Sequence, residues 1–492
     1  MRWVTPRTEN ERLRSPHIRG TLGRQKPYPN VVNPGFLVWS PWLRHTASAQ
    51  IIEEFLRARA LDNSIEARTI GLVYWRLVPM LFVLMFFNYV DRANLSFAAL
   101  RMNQDLGFSA SVYGFGATIF FAGYVLLQIP SNMMVHRLGA RLWLCVILLA
   151  WGAVSTATAF VRDDTSFYVL RFVLGLAEAG FLPAAALYVT YWFPEKYRAR
   201  AIAGYIIATS CSTIIGGPIA GAILTYLDHF LGLHGWQWMF IIEGTPTILL
   251  GFFVLVWLTD RPHQATWLDR TSREWLVAKL DSERAALGQI GDAGFAAVLK
   301  DPRVWNLGLV FGCGLIGLYG LLLWLPQIIK EMGQLSDLQV GFLSAVPPAL
   351  GVLGAILVSR RSDRVGDRKG HMAGCYFVAG VGLLASALVS DPVLAYVFLA
   401  IGNGAVLAAS PLFWTISGSF FTGAAAATCI AFVNIVAQFG GLGPWLIGAV
   451  KDATGSFTLA LITLAAFLFL AAILAVAMRA EPKRAIAPVL AE

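Results

Sequence analysis

The sequence predicts an all-α integral membrane protein, with twelve transmembrane helices grouped as two halves of six. Three observations carry that prediction. Hydrophobic residues make up 57% of the chain and charged residues only 14%, whereas a soluble domain carries about 25% charged residues. The apolar residues fall in successive runs of about 20, enough to cross roughly 30 Å of hydrocarbon at 1.5 Å per residue. The loop after the second run, His136-Arg137-Leu138-Gly139-Ala140-Arg141, is echoed after the eighth by Ser362-Asp363-Arg364-Val365-Gly366-Asp367-Arg368-Lys369. Such an echo marks two related halves.

Taken in order, residues 1–70 are expected to be a basic cytoplasmic tail, broken by Pro6, Pro16, Pro27, Pro29, Pro34 and Pro41 and without the periodicity of a packed element. A short amphipathic helix over 48–60 fits it, and so does a translation start near Leu61; the short apolar core of a signal peptide is missing. Six spans follow at about 77–99, 111–131, 141–161, 167–190, 201–226 and 237–259, forming an N-terminal half over 71–259. Residues 260–303 read as a cytoplasmic linker with its own helix, where Thr271-Ser272-Arg273-Glu274 has the pattern of a capping box with Thr271 as cap. Asp301-Pro302 then supplies a cap and a first-turn proline for span seven. The remaining spans, at about 304–329, 338–359, 372–390, 393–420, 424–449 and 457–478, form a C-terminal half over 304–479, and 480–492 a second cytoplasmic tail.

The net charge is +9, but it gathers in loops and the N-terminal tail. Loops 2–3, 4–5 and 8–9 hold ten Lys and Arg, against about four on the other side (Arg101, Arg162, Lys330 and Lys451). Both termini are therefore expected in the cytoplasm, with the lipid bilayer and not nucleic acid as partner. The five cysteines each lie in a separate apolar segment and show neither a disulfide framework nor metal-ligand spacing. With no nucleophile or metal constellation, an enzyme is not expected.

Charge inside the spans carries the chemistry. Asp91 and Arg92 lie in span one, Arg171 and Glu178 in span four, where each charge costs roughly 2.5–3.5 kcal/mol. Asp91 and Arg92 are adjacent, so their side chains diverge by about 100° and need not pair. Arg171 and Glu178 are seven apart and share a face. An arginine fork grips a carboxylate through two parallel hydrogen bonds without losing its proton, so Arg171 is the first candidate for an anionic solute. Arg92 assists it or holds a carboxylate of the protein. Asp91 and Glu178 are candidate proton carriers: burial disfavours the charged carboxyl, a nearby arginine favours it, and a solute that draws the arginine away promotes protonation. Either pair also reads as purely structural. Glu243 in span six is expected to be structural, satisfied by a neighbouring donor or interfacial water. No charged residue falls in the cores of spans seven to twelve, which leaves neutral groups such as Gln438 there to shape specificity.

Four stretches carry a family resemblance: Asn88-Tyr89-Val90-Asp91-Arg92-Ala93-Asn94-Leu95, Arg171-Phe172-Val173-Leu174-Gly175-Leu176-Ala177-Glu178-Ala179-Gly180, Tyr191-Trp192-Phe193-Pro194 with Tyr197-Arg198-Ala199-Arg200, and Leu323-Trp324-Leu325-Pro326-Gln327. Over roughly residues 70–480 the chain resembles the major facilitator superfamily, and within it the anion:cation symporter family, in the branch that imports tartrate, phthalate and hydroxyphenylacetate-type acids. The resemblance implies a monomeric importer of a small organic carboxylate in the inner (cytoplasmic) membrane, rocking two halves about a central site. The proton is its coupling ion, with no other cofactor and no metal; an organic-anion exchanger or exporter is the alternative. It also implies that spans one and four line the cavity, and that Tyr89, Tyr124, Trp414 and Asn434 fall where sugar-acid members contact substrate. The loop motif D-R-x-G-x-R/K implies a gating role for Asp363 and Arg364, and for Arg137, where His136 replaces the acidic residue. Gly204, Gly217, Pro218 and Gly221 fit the glycine motif of drug/proton antiporters, but Thr213 stands where that motif has a further glycine.

Overall fold

The computed structural model describes residues 47–287, 301–417, 429 and 432–478, and among them there is no strand. The chain divides into two compact units, Met1–Asp62 and Asn63–Glu492. The described part of the first is helical from residue 47. The second holds, among the described residues, twelve helices long and apolar enough to cross a membrane. Spans one to six are Ser64–Leu106, Ala110–Val135, Ala140–Phe160, Asp164–Trp192, Glu195–Tyr226 and Gly235–Trp257; spans seven to twelve are Pro302–Glu331, Asp337–Val365, Arg368–Leu388, Pro392–Ser417, Phe432–Thr454 and Thr458–Ala477.

Several spans run past their expected ends, and two of those boundaries have a plain physical reason. Span one starts well before residue 77 because Ile70 and Val73 are already buried in the core. Span eleven runs past 449 to Thr454, where Gly455 takes a left-handed conformation (φ 75°) and stops it; its expected start at 424 lies outside the described residues. The linker helix, Arg270–Leu287, is capped differently from the sequence reading. The Asp269 carboxylate accepts the Ser272 N–H at 3.1 Å, so Thr271 lies inside the first turn and Glu274 pairs with Arg270 at 2.7 Å. An ionised oxygen one position before the helix outcompetes a hydroxyl for the free N–H groups. Span seven begins as expected, with Asp301 accepting the Arg303 N–H at 2.9 Å.

Packing repeats between the first six spans and the last six. Span two packs on four and span three on six; likewise eight packs on ten and nine on twelve. Two seams join the sets, five against eight and two against eleven. Lipid supplies no hydrophobic drive between helices, so such seams rely on small residues that let backbones approach. A Cβ on Gly217 would stand 2.6 Å from the Gly341 carbonyl oxygen, and one on Gly114 2.6 Å from that of Pro444.

Two spans are broken near mid-depth. Span four is helical over Asp164–Glu178 and again over Phe181–Trp192, with a turn at Ala179 and Gly180. Span eleven passes through a 3₁₀ segment, Gln438–Leu442, before Gly443–Thr454, the bend that its run of glycines and Pro444 predicts. Irregular backbone at membrane depth is tolerated where protein or a cavity surrounds it.

Candidate functional site

Span one faces span four through residues four apart. Asn88 and Arg92 lie on one face of the helix, and both reach Glu178. Asn88 Nδ2 donates to Glu178 Oε1 at 2.8 Å and Arg92 Nε to the same oxygen at 2.7 Å, with an Arg92 terminal nitrogen 2.5 Å away. The Arg92 guanidinium also sits 5.2–5.6 Å from the rings of Tyr89, Phe120 and Tyr124, a cation–π cage of the kind that lowers the cost of a buried cation. Glu178 Oε2 is buried with no hydrogen-bond partner among the described residues.

Asp91 turns toward span three, where Ser155 donates its hydroxyl proton to the carboxylate. Arg171, seven residues before Glu178 on span four, is buried too. Its guanidinium lies 4.8 Å over the Phe120 ring, and its Nε meets only the Gly116 carbonyl, at 3.4 Å. Among the described residues no carboxylate lies within ion-pairing distance of Arg171. The central cluster thus holds one guanidinium already paired and one that is not.

Asp91, Arg92 and Arg171 line a single cavity with Phe120 and Phe121 of span two and Tyr319, Leu322 and Leu323 of span seven. The space open to a water centre there is about 10 Å³, room for about one water molecule. As described, the cavity is too small for a solute of several heavy atoms.

The end away from the basic loops is closed across both seams. Asp337 at the start of span eight accepts Arg101 Nε of span one at 2.8 Å and Lys330 Nζ of span seven at 2.8 Å. Asp452 of span eleven accepts the N–H groups of Ala110 and Ser111 at 3.1 and 2.7 Å. Deeper in, Tyr113 donates to the Leu323 carbonyl at 2.6 Å and Thr118 to that of Gly441 at 2.8 Å. The Arg101, Asp452, Tyr113 and Thr118 contacts, with the Trp445 N–H donating to Thr118 Oγ1 at 3.2 Å, join the first six spans to the last six at this end and in the layer just beneath it.

The other sequence candidates lie apart from the cavity lining. Trp414 is 39% exposed and packs on Phe311 and Phe413, and Asn434 is half-buried in span eleven. At the basic end Arg137, Asp363 and Arg364 are exposed, and Asp363 pairs with Arg368 at 3.3 Å. The side chain of His136 is outside the described set. The loop after span two is instead fastened by Asp260, which accepts the Arg141 N–H at 2.8 Å.

Sequence reasoning missed Asn88, Ser155 and Tyr319. The four-residue step from Asn88 to Arg92 was a readable signal; nothing in one dimension points to Ser155 or Tyr319. Glu243, for which the sequence allowed a neighbouring donor or interfacial water, has both carboxyl oxygens buried without a protein partner among the described residues.

Comparison with known proteins agrees with this architecture. The model of the Major Facilitator Superfamily matches residues 81–444. A protein of Agrobacterium vitis whose name assigns it to tartrate transport is 44% identical, over 86% of this chain and 94% of its own length. An Acinetobacter baumannii protein named a quinolone resistance transporter is 37% identical over 85% of this chain and 96% of its own. Among solved structures, a bacterial homologue of the human lysosomal transporter Spinster superposes with a TM-score of 0.66, covering 82% of this chain and 96% of that one. At 17% identity that likeness concerns the fold alone.

Proposed function

The chain belongs to the major facilitator superfamily, as a multi-pass membrane transporter and not an enzyme, and from that premise we propose that it imports a small organic carboxylate of the tartrate kind together with protons. The observation that carries the reading is Arg171, a buried guanidinium at a small cavity with no carboxylate of the protein paired to it. Burying an uncompensated charge is expensive, and a solute carboxylate gripped by the fork offsets that cost.

In this reading the second carboxylate of a dicarboxylate competes with Glu178 for Arg92. Glu178 then keeps only Asn88 as a donor, and a carboxylate stripped of its cation in a dry site takes up a proton. Substrate and proton thereby enter the cavity together. Asp91, linked to Ser155 and facing Arg171, is the second proton carrier. Tyr89 and Tyr124 border the site through Arg92, and Trp414 and Asn434 join it as the last six spans rock. The basic loops with Arg137, Asp363 and Arg364 lie in the cytoplasm with both termini, so the described arrangement is the one closed toward the outside. Alternating access then requires the Arg101–Asp337 and Asp452 contacts to break. The protein works as a monomer in the cytoplasmic membrane, with the proton as coupling ion and no metal.

The relative named for quinolone resistance favours a second reading, export or exchange of an organic anion through the same site. Uptake of labelled tartrate, aromatic acids and sugar acids into proteoliposomes, with and without an inward proton gradient, separates the two. Gradient-stimulated accumulation that Glu178→Gln abolishes while leaving exchange intact is the expected result. Equilibration indifferent to the gradient would sink symport and leave the exchanger. Retained accumulation in Glu178→Gln would remove that residue from coupling.

A further inference from the structure

Among the described residues, Glu243 is the one strongly buried acid that the proposed cycle does not use. It sits in span six, 5% exposed, with both carboxyl oxygens shielded and unpartnered among the described residues. Spans three and six close over it at backbone distance: a Cβ on Gly244 would stand 2.8 Å from the Thr156 nitrogen and 3.0 Å from the Gly152 carbonyl oxygen. That packing brings the span six backbone beside Glu243 against residues 152–156 of span three. The polar groups nearby on span three are Ser155 and Thr156, already turned to Asp91 and to the Gly152 carbonyl. On its own helix the Thr247 hydroxyl bonds the Glu243 main-chain oxygen at 3.3 Å and not its carboxyl. Asp91 of span one meets the same stretch of span three, bonded to Ser155, the neighbour of the Thr156 that packs on Gly244.

An ionised carboxyl in such a place has no counter-ion to offset a burial cost of several kcal/mol, whereas the neutral acid needs none. Two acids that feel each other's charge also give up protons as a unit and not independently. We propose that Glu243 holds a proton during part of the transport cycle and exchanges it with Asp91, so that spans one, three and six carry a proton path that meets the anion cavity at Asp91. In the exchange an O–H bond breaks at Glu243 as one forms at Asp91, and the negative charge moves the opposite way. Asp91 also faces Arg171, so a carboxylate that occupies Arg171 weakens the attraction that keeps Asp91 ionised and draws the proton across from Glu243. Glu243 is thus loaded when the cavity is empty of anion and unloaded when it is filled.

This inference rests on the proton-coupled reading above, and its test separates the two. Wild type and Glu243→Gln are reconstituted as full chains, and their infrared difference spectrum is recorded alongside counterflow and gradient-driven uptake of labelled tartrate. Wild type is expected to show the C=O stretch of a protonated carboxyl that Glu243→Gln lacks. The variant is expected to keep counterflow and to lose gradient-driven accumulation at least tenfold. Superimposable spectra overturn the proposal, as does a lost band with undiminished accumulation, which would make the proton a fixed structural one. Absence of gradient-driven accumulation in wild type overturns the symport reading itself. Should Glu243→Gln fail to fold, a pH titration of the wild-type band against Glu243→Asp, in which the band must shift, decides the matter.

Discussion

The central cluster and the closed end hold the same kinds of ion pair at nearly the same distances, each on a buried carboxylate, yet the cations differ in number and in their access to water. Arg92 meets Glu178 at 2.5–2.7 Å with side chains 10% and 1% exposed. Arg101 meets an equally buried carboxylate, Asp337 at 2% exposed, at 2.8 Å, but the Arg101 side chain is 48% exposed and Lys330 shares the carboxylate. Removing one partner of a buried pair strands the other charge and costs about 3–5 kcal/mol. A pair whose cation stays half in water, with a second cation on the same carboxylate, loses less when one cation is removed, toward the roughly 0.2–1 kcal/mol of an exposed pair. In the proposed cycle the same chemistry serves two purposes: the dry cluster positions charge for binding, and the closed end is a latch whose cations water takes over when it opens.

The sharpest way to break that comparison is at Arg171, the guanidinium without a partner. Arg171→Ala removes two charge-assisted hydrogen bonds to substrate and should raise the tartrate KM about 100-fold or more, while thermal stability in detergent holds or improves because a buried, unpaired cation has gone. Arg171→Lys keeps the charge but not the fork, and should lose roughly tenfold, one charged hydrogen bond's worth. A stability loss in Arg171→Ala with an unchanged KM would recast Arg171 as structural. Next in size is Arg92→Met, which leaves Glu178 buried beside Asn88 alone and should cost about 3–5 kcal/mol of stability. Adding Glu178→Leu should restore most of it, because neither charge is then stranded. Additive losses in the double variant, read from thermal unfolding, would show that the pair is not coupled.

Much of this was legible along the chain because helical periodicity is local. The seven-residue step from Arg171 to Glu178 put both on one face, and the one-residue step from Asp91 to Arg92 set them apart, toward span three and span four respectively. What periodicity cannot carry is which span lies opposite. Ser155 is a hydroxyl among apolar neighbours until span three is seen against span one, and Tyr319 is an interfacial-looking tyrosine until span seven is seen against span two. The same gap explains Glu243, for which a protein donor depended on the neighbouring helix, and there glycines and Thr156 occupy the contact. Trp414 was placed by analogy with other chains, but its ring stacks among aromatics beyond the cavity lining. At the linker the error was local: Asp269, two residues before Thr271, supplied a stronger cap within the same turn.

The smallest effect tests the latch. Arg101→Gln removes one of two cations from Asp337 and leaves Lys330 in place, so stability should change by no more than about 1 kcal/mol. That amount still matters to a conformational equilibrium, because 1 kcal/mol is roughly a fivefold change in population. Spin labels at Phe160→Cys and Gly333→Cys, residues that end span three and follow span seven at the closed end, should show a larger separated population in Arg101→Gln than in the parent by up to about that factor. Raised salt should mimic the substitution in the parent and add little in the variant, since both act on the same half-exposed pair. If Arg101→Gln instead destabilised the protein as much as Arg92→Met, exposure would not be what distinguishes the two clusters. The closed end would then be a structural clamp, and opening would have to occur elsewhere along the seams.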